Sequence, residues 1–290
     1  MRRRSFLLAG AAALAGAVHA APEPYGKGVL WRIAHKGVEP SHVYGTMHLA
    51  DERLALPAPA LAAFERSRSL MLEFLADAYA KERFLEAALY LDGRTLEQEI
   101  GAQDFERVLE RMKPIGLERD FVNKLKPWGV LINLRAGRES RGVAPEARLA
   151  ALARERRMAI EQIENVEEQV FTFDEFPLDS QVALLRHALA HEDELLALSD
   201  RTLEAYLARD LAAIWRLREE FNARHPEIAA HQAVMTKRVV LDRSVVMAFR
   251  MQRELRRGRA FVALGALHLY GRRGVLALLQ EDGYRASRVY

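Results

Sequence analysis

Two matching stretches, far apart in the chain, place the strongest constraint on its fold. Residues 42–48 and 260–268 each read as an apolar segment, a glycine, two further residues and a histidine. The β-branched and aromatic residues before each glycine predict a buried strand, which the chain leaves at the glycine. The two histidines, His48 and His268, lie 220 positions apart. One shared site therefore requires a fold that brings the two ends of the chain together.

The glycines of these motifs, Gly45 and Gly265, also allow a plainer interpretation. A single Gly-x-x-His is compatible with a core turn that carries an incidental histidine. In open α/β sheets, however, ligands bind at the edge where the strands end. Two copies of the motif at similar strand ends favour a ligand site there, with His48 and His268 as its candidate ligands.

A carboxylate, Glu73, lies in a third apolar segment at residues 69–74. Burying an acid is costly unless it meets a cation, a metal or several N–H donors, so a salt bridge or a helix cap is an equal alternative for this residue alone. Beside two histidines, a role as metal ligand is favoured over a salt bridge or a helix cap, because two His and one Glu leave a coordination position for water. The sequence thus predicts a divalent metal ion of unknown identity on His48, His268 and Glu73, with Glu73 alternatively the general base.

These motifs and their surroundings resemble the TraB/GumN family, which includes the TIKI-type metalloproteases. The resemblance covers nearly the whole mature chain and rests on these segments: 30–33, 43–48, Glu73, 126–128, 163–169, 242–243, 261–268, Gly271, Gly274 and 283–284. The chain departs from the family pattern at Ser244, where asparagine is frequent, and at residues 142–144, where Gly-Leu-Asp is frequent. The resemblance implies peptide-bond hydrolysis; from chemistry alone, peptide, ester and lactone substrates stay open.

Arg243 lies in a helical segment rich in valine shortly before the second motif. A guanidinium in such a setting meets either a structural carboxylate or an anionic ligand, and both remain open from the residues alone. The family resemblance implies a place in the site, where Arg243 would steady developing negative charge.

The first twenty residues are typical of a secretory signal peptide. Three arginines precede an apolar run over residues 7–18, and small residues follow at the expected cleavage position. Arg3 and Arg4 also fit a twin-arginine signal, so both export routes stay open. We expect a periplasmic or secreted mature protein that starts at Ala21 and has no transmembrane segment.

The amino-acid composition argues against several classes of function. The chain has 43 Lys and Arg against 40 Asp and Glu, and the three arginines of the signal account for the whole excess. A nucleic-acid partner therefore has no support. The absence of cysteine excludes disulfides, cysteine-containing zinc sites and thiol nucleophiles. A peptide or another small envelope substrate is the expected partner, and the oligomeric state is left open.

The periodicity predicts an α/β fold with a central mixed sheet formed by both chain ends. Residues 21–290 are expected to form a single domain, in which a large helical insertion at about 78–255 covers the site. Strands are predicted at 29–34, 43–47 and 158–163, besides those at Glu73 and before Gly265. Pro145 is expected to open a helix. Glu164 is expected to cap the helix that follows the 158–163 strand.

Four further histidines are assigned to the surface. His187 and His191 stand at i and i+4 and could hold a metal from one helix face, but they lack the zincin arrangement and have charged neighbours. His225 and His231 flank Pro226 in a predicted turn between helices.

Taken together, the residues favour an extracytoplasmic metal-dependent hydrolase. A binding protein that grips a metal complex or a haem-type ligand is one alternative. An accessory factor for envelope polysaccharide or signalling, with a decayed site, is another.

Overall fold

The computed structural model describes residues 23–136 and 142–290. The predicted signal peptide, residues 1–20, lies outside these ranges. None of the helices within them is long and apolar enough to cross a bilayer.

A six-stranded mixed sheet forms the centre of the fold. Its strands are β1 (Leu30–Ala34), β2 (Ser41–Thr46), β3 (Ser69–Leu72), β4 (Ala159–Gln162), β5 (Ala260–Gly265) and β6 (Arg285–Arg288). Their order across the sheet is β4-β3-β5-β2-β1-β6. The four strands β4, β3, β5 and β2 are parallel, whereas β1 pairs antiparallel with both β2 and β6. The prediction of a mixed sheet built from both chain ends is confirmed.

The two innermost parallel strands are buried along their whole length. Every residue of β3 and of β5 is buried, which matches their uninterrupted apolar sequences. Strands of this type need cover on both faces of the sheet. Phe64 of the segment after β2 packs edge-on against Phe261 of β5, with ring centroids 5.6 Å apart.

The described residues form fourteen α-helices: α1 (Ala58–Glu65), α2 (Ala78–Ala87), α3 (Leu96–Ile100), α4 (Ala102–Met112), α5 (Arg119–Val122), α6 (Pro127–Ala136), α7 (Pro145–Glu155), α8 (Val166–Asp174), α9 (Leu178–Ala190), α10 (Glu192–Leu207), α11 (Leu211–Arg224), α12 (Ala229–Thr236), α13 (Arg243–Arg257) and α14 (Val275–Glu281). Pro145 opens α7, as predicted. A π-helical turn, Lys237–Asp242, leads directly into α13.

Between α2 and α13, the described residues form helices joined by turns and one strand, β4, which returns to the sheet beside β3. Part of this segment has a hydrophobic core of its own, centred on Phe105, Val108 and Leu185. The remaining helices pack on the core of the sheet, where α11 contributes Ile214 and α13 contributes Met247. These helices cover the edge at which the parallel strands end.

The predicted role of Glu164 is wrong. Asn165, not Glu164, caps α8, and it forms a capping box with Glu168. The side chain of Glu164 is 4% exposed and turns into the protein. A capping carboxylate stays close to the helix amides and to water, whereas this one is committed to partners in the interior.

Candidate metal-binding active site

The two Gly-x-x-His motifs lie side by side at one edge of the sheet. Strands β2 and β5 are parallel neighbours, and the last residue of one, Thr46, is in register with the last residue of the other, Gly265. Parallel strands end at the same edge of a sheet, so His48 and His268 leave it together. The expectation that the strands carrying the motifs are neighbours is therefore confirmed.

Glu73 reaches the same edge from the other side of β5. It directly follows β3, the parallel neighbour of β5, and its backbone N–H donates to the carbonyl of Ala263 at 3.0 Å. The two histidine motifs and this carboxylate thus come from three adjacent strand ends.

Gly265 lies at the point where the three side chains meet. A Cβ atom placed on it would stand 3.0 Å from Nε2 of His48, 3.3 Å from Oε2 of Glu73 and 3.4 Å from Cδ2 of His268. Its φ of −54° is ordinary, so glycine is needed here for space and not for an unusual backbone conformation. Its N–H also donates to Oε2 of Glu73 at 2.7 Å.

Glycine is required at Gly45 for a different reason, the close packing of the turn after β5. A Cβ there would stand 2.7 Å from Cδ1 of Leu269 and 3.0 Å from Cα of Ala266. The turn after β5 therefore packs directly on the backbone of β2. The carbonyl of Gly45 also accepts a hydrogen bond from the buried hydroxyl of Tyr206 in α10 at 2.8 Å.

Glu73 is a buried carboxylate with partners on both oxygens. Oε1 accepts from Nη2 of Arg243, and Oε2 accepts from the Gly265 amide and stands 3.4 Å from Nε2 of His48. Burial acts to raise the pKa of Glu73, but the charges of His48, His268 and Arg243 outweigh it and hold the pKa well below its usual value. The group is therefore ionised at neutral pH.

His48 lies between two carboxylates. Its Nε2 faces Glu73, and its Nδ1 stands 2.7 Å from Oε1 of Glu146 in the first turn of α7. The side chain is 56% exposed, but that surface lines a cavity. Burial acts to lower the pKa of His48, yet Glu73 and Glu146 raise it well above its usual value. The two carboxylates therefore favour the charged imidazole at neutral pH.

Glu146 is a site residue that the sequence did not reveal. An acid beside Pro145 at a helix start is the ordinary complement to the helix dipole, and nothing in the local pattern marks it as more. Only the packing of α7 against the sheet brings it to His48.

His268 is buried and held by Ser244 of α13. Oγ of Ser244 donates to the carbonyl of Val240 at 2.7 Å and lies 2.9 Å from Nδ1 of His268. Because the single hydroxyl proton serves Val240, Nδ1 must be the donor to Oγ, and the lone pair of the neutral ring is then on Nε2. Burial lowers the pKa of His268 to about 4, which favours this neutral form. Ser244 thus orients the ring of His268.

Arg243 has four of its five N–H donors bound to protein acceptors. Nε donates to both oxygens of Glu164 at 3.1 and 3.0 Å, Nη2 bridges Glu164 and Glu73, and Nη1 donates to the carbonyl of Val239. Gln169 completes the group by donating to Glu164 at 2.6 Å. This network holds Glu73 in place, so the geometry supports a positioning role for Arg243.

A cavity of about 610 Å³ opens over these residues. Besides the polar groups named above, its wall is largely apolar and includes the following side chains: Met47, Leu72, Phe74, Leu75, Ala147, Ala150, Phe173, Ile214, Val239, Val240 and Leu267. Oγ1 of Thr46, also in the wall, is buried without a hydrogen-bond partner among the described residues. A volume of this size and an apolar wall with few polar groups are typical of small-molecule and peptide pockets.

His48 and Glu73 at this edge are placed as two ligands of a divalent metal ion would be. Nε2 of His48 and Oε2 of Glu73 are 3.4 Å apart, close to the separation of about 3.3 Å that two ligands at about 2.0–2.1 Å adopt around a tetrahedral ion. The contacts of His48 with Glu146 and of His268 with Ser244 are of the kind that orient ligating histidines. The metal ligation predicted for these three residues stays a prediction.

Across the described ranges, ligand atoms that all lie within 4.8 Å of one another are found in a different group, His187, His191, His225 and Glu227. The three donors of the strand edge do not form such a group, so His268 lies beyond this distance from at least one of the other two. The surface assignment of His187 and His225 is wrong, because they are only 8% and 7% exposed. A His/Glu group that could hold a metal ion is thus present in the structure.

The fold and the site define an α/β protein with a pocket of two histidines and a buried carboxylate at the ends of three parallel strands. The model of the TraB/PrgY/gumN family matches residues 29–288, nearly the whole chain, and the chain belongs to this family. Comparison with curated proteins and with solved structures gave no match.

Proposed function

We propose that this protein is an extracytoplasmic metal-dependent hydrolase that cleaves peptide-like substrates in the cavity above the strand edge. The observation that carries the proposal is the meeting of His48, Glu73 and His268 around Gly265. These three residues would hold the metal. Such an ion supplies an activated water and polarises the carbonyl that is attacked.

The protein's own groups prepare the site for this chemistry. The Gly265 amide and Arg243 hold the carboxylate of Glu73 in position. Burial favours the neutral form of His268, and Ser244 sets the tautomer that leaves its lone pair on Nε2. His48 must release its Nε2 proton to become a ligand, and Glu146 remains as the partner of Nδ1.

The cavity supports a substrate with an apolar group beside the scissile bond. Phe74, Phe173 and Leu267 stand in its wall, and they would exclude water from the reacting atoms. The choice of a peptide over an ester or a lactone rests on the resemblance to TIKI-type metalloproteases. The extracytoplasmic location rests on the N-terminal basic, apolar and small-residue pattern.

A peptide library tests the activity. The purified protein is assayed with and without a chelator, and His48→Ala is compared with His35→Ala, which removes an exposed histidine next to Tyr284 and outside the cavity. We expect chelator and His48→Ala to abolish cleavage and His35→Ala to leave it unchanged. Cleavage that is indifferent to both chelator and His48→Ala would refute the proposal.

Two simpler measurements test the extracytoplasmic location and the alternative of a haem-type binding protein. N-terminal sequencing of protein from an envelope fraction should give a chain that starts at Ala21; full-length protein in the cytosol would contradict the location. Absorption of the purified protein near the haem Soret band would instead support the alternative of a haem-type binding protein.

A further inference from the structure

A second group of histidines lies at a junction of three helices, away from the cavity. His187 is in the last turn of α9, and His191 joins α9 to α10. His225 ends α11, and Glu227 lies in the short 3-10 turn that follows. None of the four is among the residues that line the cavity. We call this group the three-helix cluster.

The three imidazoles of the cluster pack directly on one another. Ring centroids are 4.4 Å apart for His187 and His191, 4.5 Å for His187 and His225, and 4.6 Å for His191 and His225. One ligand atom from each ring and one from Glu227 all lie within 4.8 Å of one another. Three His nitrogens and one carboxylate oxygen form a complete tetrahedral set for an ion of the zinc type.

The environment of Nε2 of His187 is separate evidence that the cluster binds a ligand. The side chain is only 6% exposed, and this nitrogen is buried without a hydrogen-bond partner among the described residues. Oε1 of Glu227 lies 3.4 Å away, on the side where the cluster meets solvent. Leaving a buried polar atom unsatisfied destabilises the fold, and a bound cation would remove that cost.

The contacts of His225 direct one of its ring nitrogens toward Glu227 of the cluster. Nε2 of His225 stands 2.8 Å from Oε2 of Glu194, so its Nδ1 remains on the side of Glu227, at 3.3 Å. A carboxylate on the far nitrogen of a ligating histidine is a frequent support in metal sites. Arg224 in turn fixes Glu194 through its other oxygen.

We propose that His187, His191, His225 and Glu227 form a structural site for a divalent cation of the zinc type. With four protein ligands the site is closed, which is typical of structural and not of catalytic zinc. The ion would join α9, α10 and α11 at one end. Two of these helices also build the candidate active site, since α10 supplies Tyr206 and α11 supplies Ile214.

Cobalt titration tests the proposal without any change in the cluster. The double variant His48→Ala/His268→Ala lacks two donors of the strand edge, and Co²⁺ is added to it while visible absorption is recorded. We expect about one equivalent to bind with the intense d–d bands of tetrahedral coordination. A variant that binds no Co²⁺, or binds it only with the weak bands of octahedral coordination, would overturn the inference.

Substitutions at the exposed side of the cluster then assign the ligands. His191→Gln and Glu227→Gln change partly exposed residues, and His231→Gln is the matched control, because His231 bonds Ser180 outside the cluster. We expect zinc content to fall by about one equivalent in the first two variants only, and zinc to raise Tm in wild type but not in them. Equal zinc content in all four proteins would contradict the site. Because these readouts need no substrate, they are independent of whether the strand edge is catalytic.

Discussion

At the scale of single residues, Gly265 and Ser244 decide whether the strand edge can bind a metal. Neither is a ligand. Gly265 leaves the space into which His48 and Glu73 converge, and Ser244 sets the orientation and tautomer of His268.

Gly265→Ala is expected to lower activity about 100-fold and to weaken metal binding. The new Cβ would stand 3.0 Å from Nε2 of His48 and must displace it, and a shift of about 1 Å in a reacting group has an effect of that order. Gly129→Ala is the matched control, since its Cβ would stand equally close, at 3.0 Å, to Cβ of Ala88, outside the cavity. Similar activity in the two variants would show that contact between the new Cβ and His48 does not lower the activity.

Ser244→Ala is expected to lower metal affinity about 10- to 100-fold, the range for loss of a group that orients a ligating histidine. Ser67→Ala is the control. Both serines are buried and donate to the carbonyl four residues earlier, but Ser67 contacts Ala63 and no histidine. Both changes should cost about 1 kcal/mol of stability, so affinity measured by chelator competition isolates the contact with His268. Unchanged affinity in Ser244→Ala would show that the serine does not support a ligand.

At the scale of secondary-structure elements, five of the six strands were predicted from the sequence, including the partly exposed β4, whose observed bounds lie within one residue of the predicted ones. The apolar runs of β3 and β5 agree with their complete burial, because strands covered on both faces of a sheet carry such runs. The edge strand β6 (Arg-Ala-Ser-Arg) was missed, since its stability comes from pairing with β1 and not from apolar side chains. Glu164 was misassigned because Asn165, its neighbour, is the better cap, and only the tertiary fold supplies Arg243 as a partner.

Long-range packing also limited how much of the candidate site could be predicted from the sequence. The paired motifs and Glu73 were found from sequence because each follows an apolar strand. Glu146 and His225 were not found, because each lies at a helix end whose local sequence has an ordinary explanation. Their positions depend on how helices pack on one another, and no short pattern encodes that.

The anchoring of α13 to the sheet depends on Glu254, and this contact is expected to depend on pH. The carboxylate is 1% exposed and accepts hydrogen bonds from Arg68 at 2.8 Å and from Arg257 at 2.9 Å. Burial acts to raise the pKa of Glu254, but these arginines outweigh it and hold the pKa below its ordinary value of 4.5. The stabilisation is thus fully present above the unfolded-state pKa and is lost as pH falls through the folded-state pKa.

Glu254→Gln should therefore destabilise the protein by about 2 kcal/mol at neutral pH, the scale of hydrogen bonds to a charged group. The difference in the free energy of unfolding between wild type and variant should narrow as the pH falls below ~4.5. Urea unfolding between pH ~7 and ~3 measures this difference. Glu161→Gln, which loses an exposed pair with Arg253, should show a gap near zero throughout. A gap for Glu254→Gln that stays constant down to pH ~3 would mean that the carboxylate charge is not what stabilises this contact.

At the scale of the whole molecule, the two ends of the chain meet at one sheet edge because β5 inserts between β2 and β3. This places His268 between the strand end that precedes His48 and the one that carries Glu73. Residues 220 positions apart in sequence are thereby brought to one edge, where the proposed metal site would make them parts of one unit. A unit of this kind responds to substitution differently from two separate structural turns.

A double-mutant cycle on His48 and His268 tests this unity. His48→Ala and His268→Ala are each expected to remove most of the metal at the strand edge and most activity. The double variant should then lose little more than either single one, because groups that act together are not additive. The comparison pair is His48→Ala with His35→Ala, which lies outside the cavity and should contribute nothing further. If the histidines served separate turns, each change would lower the free energy of unfolding independently and the losses would sum. Additive losses of stability, with metal content and activity unchanged, would show that the shared edge is a structural feature and not one catalytic site.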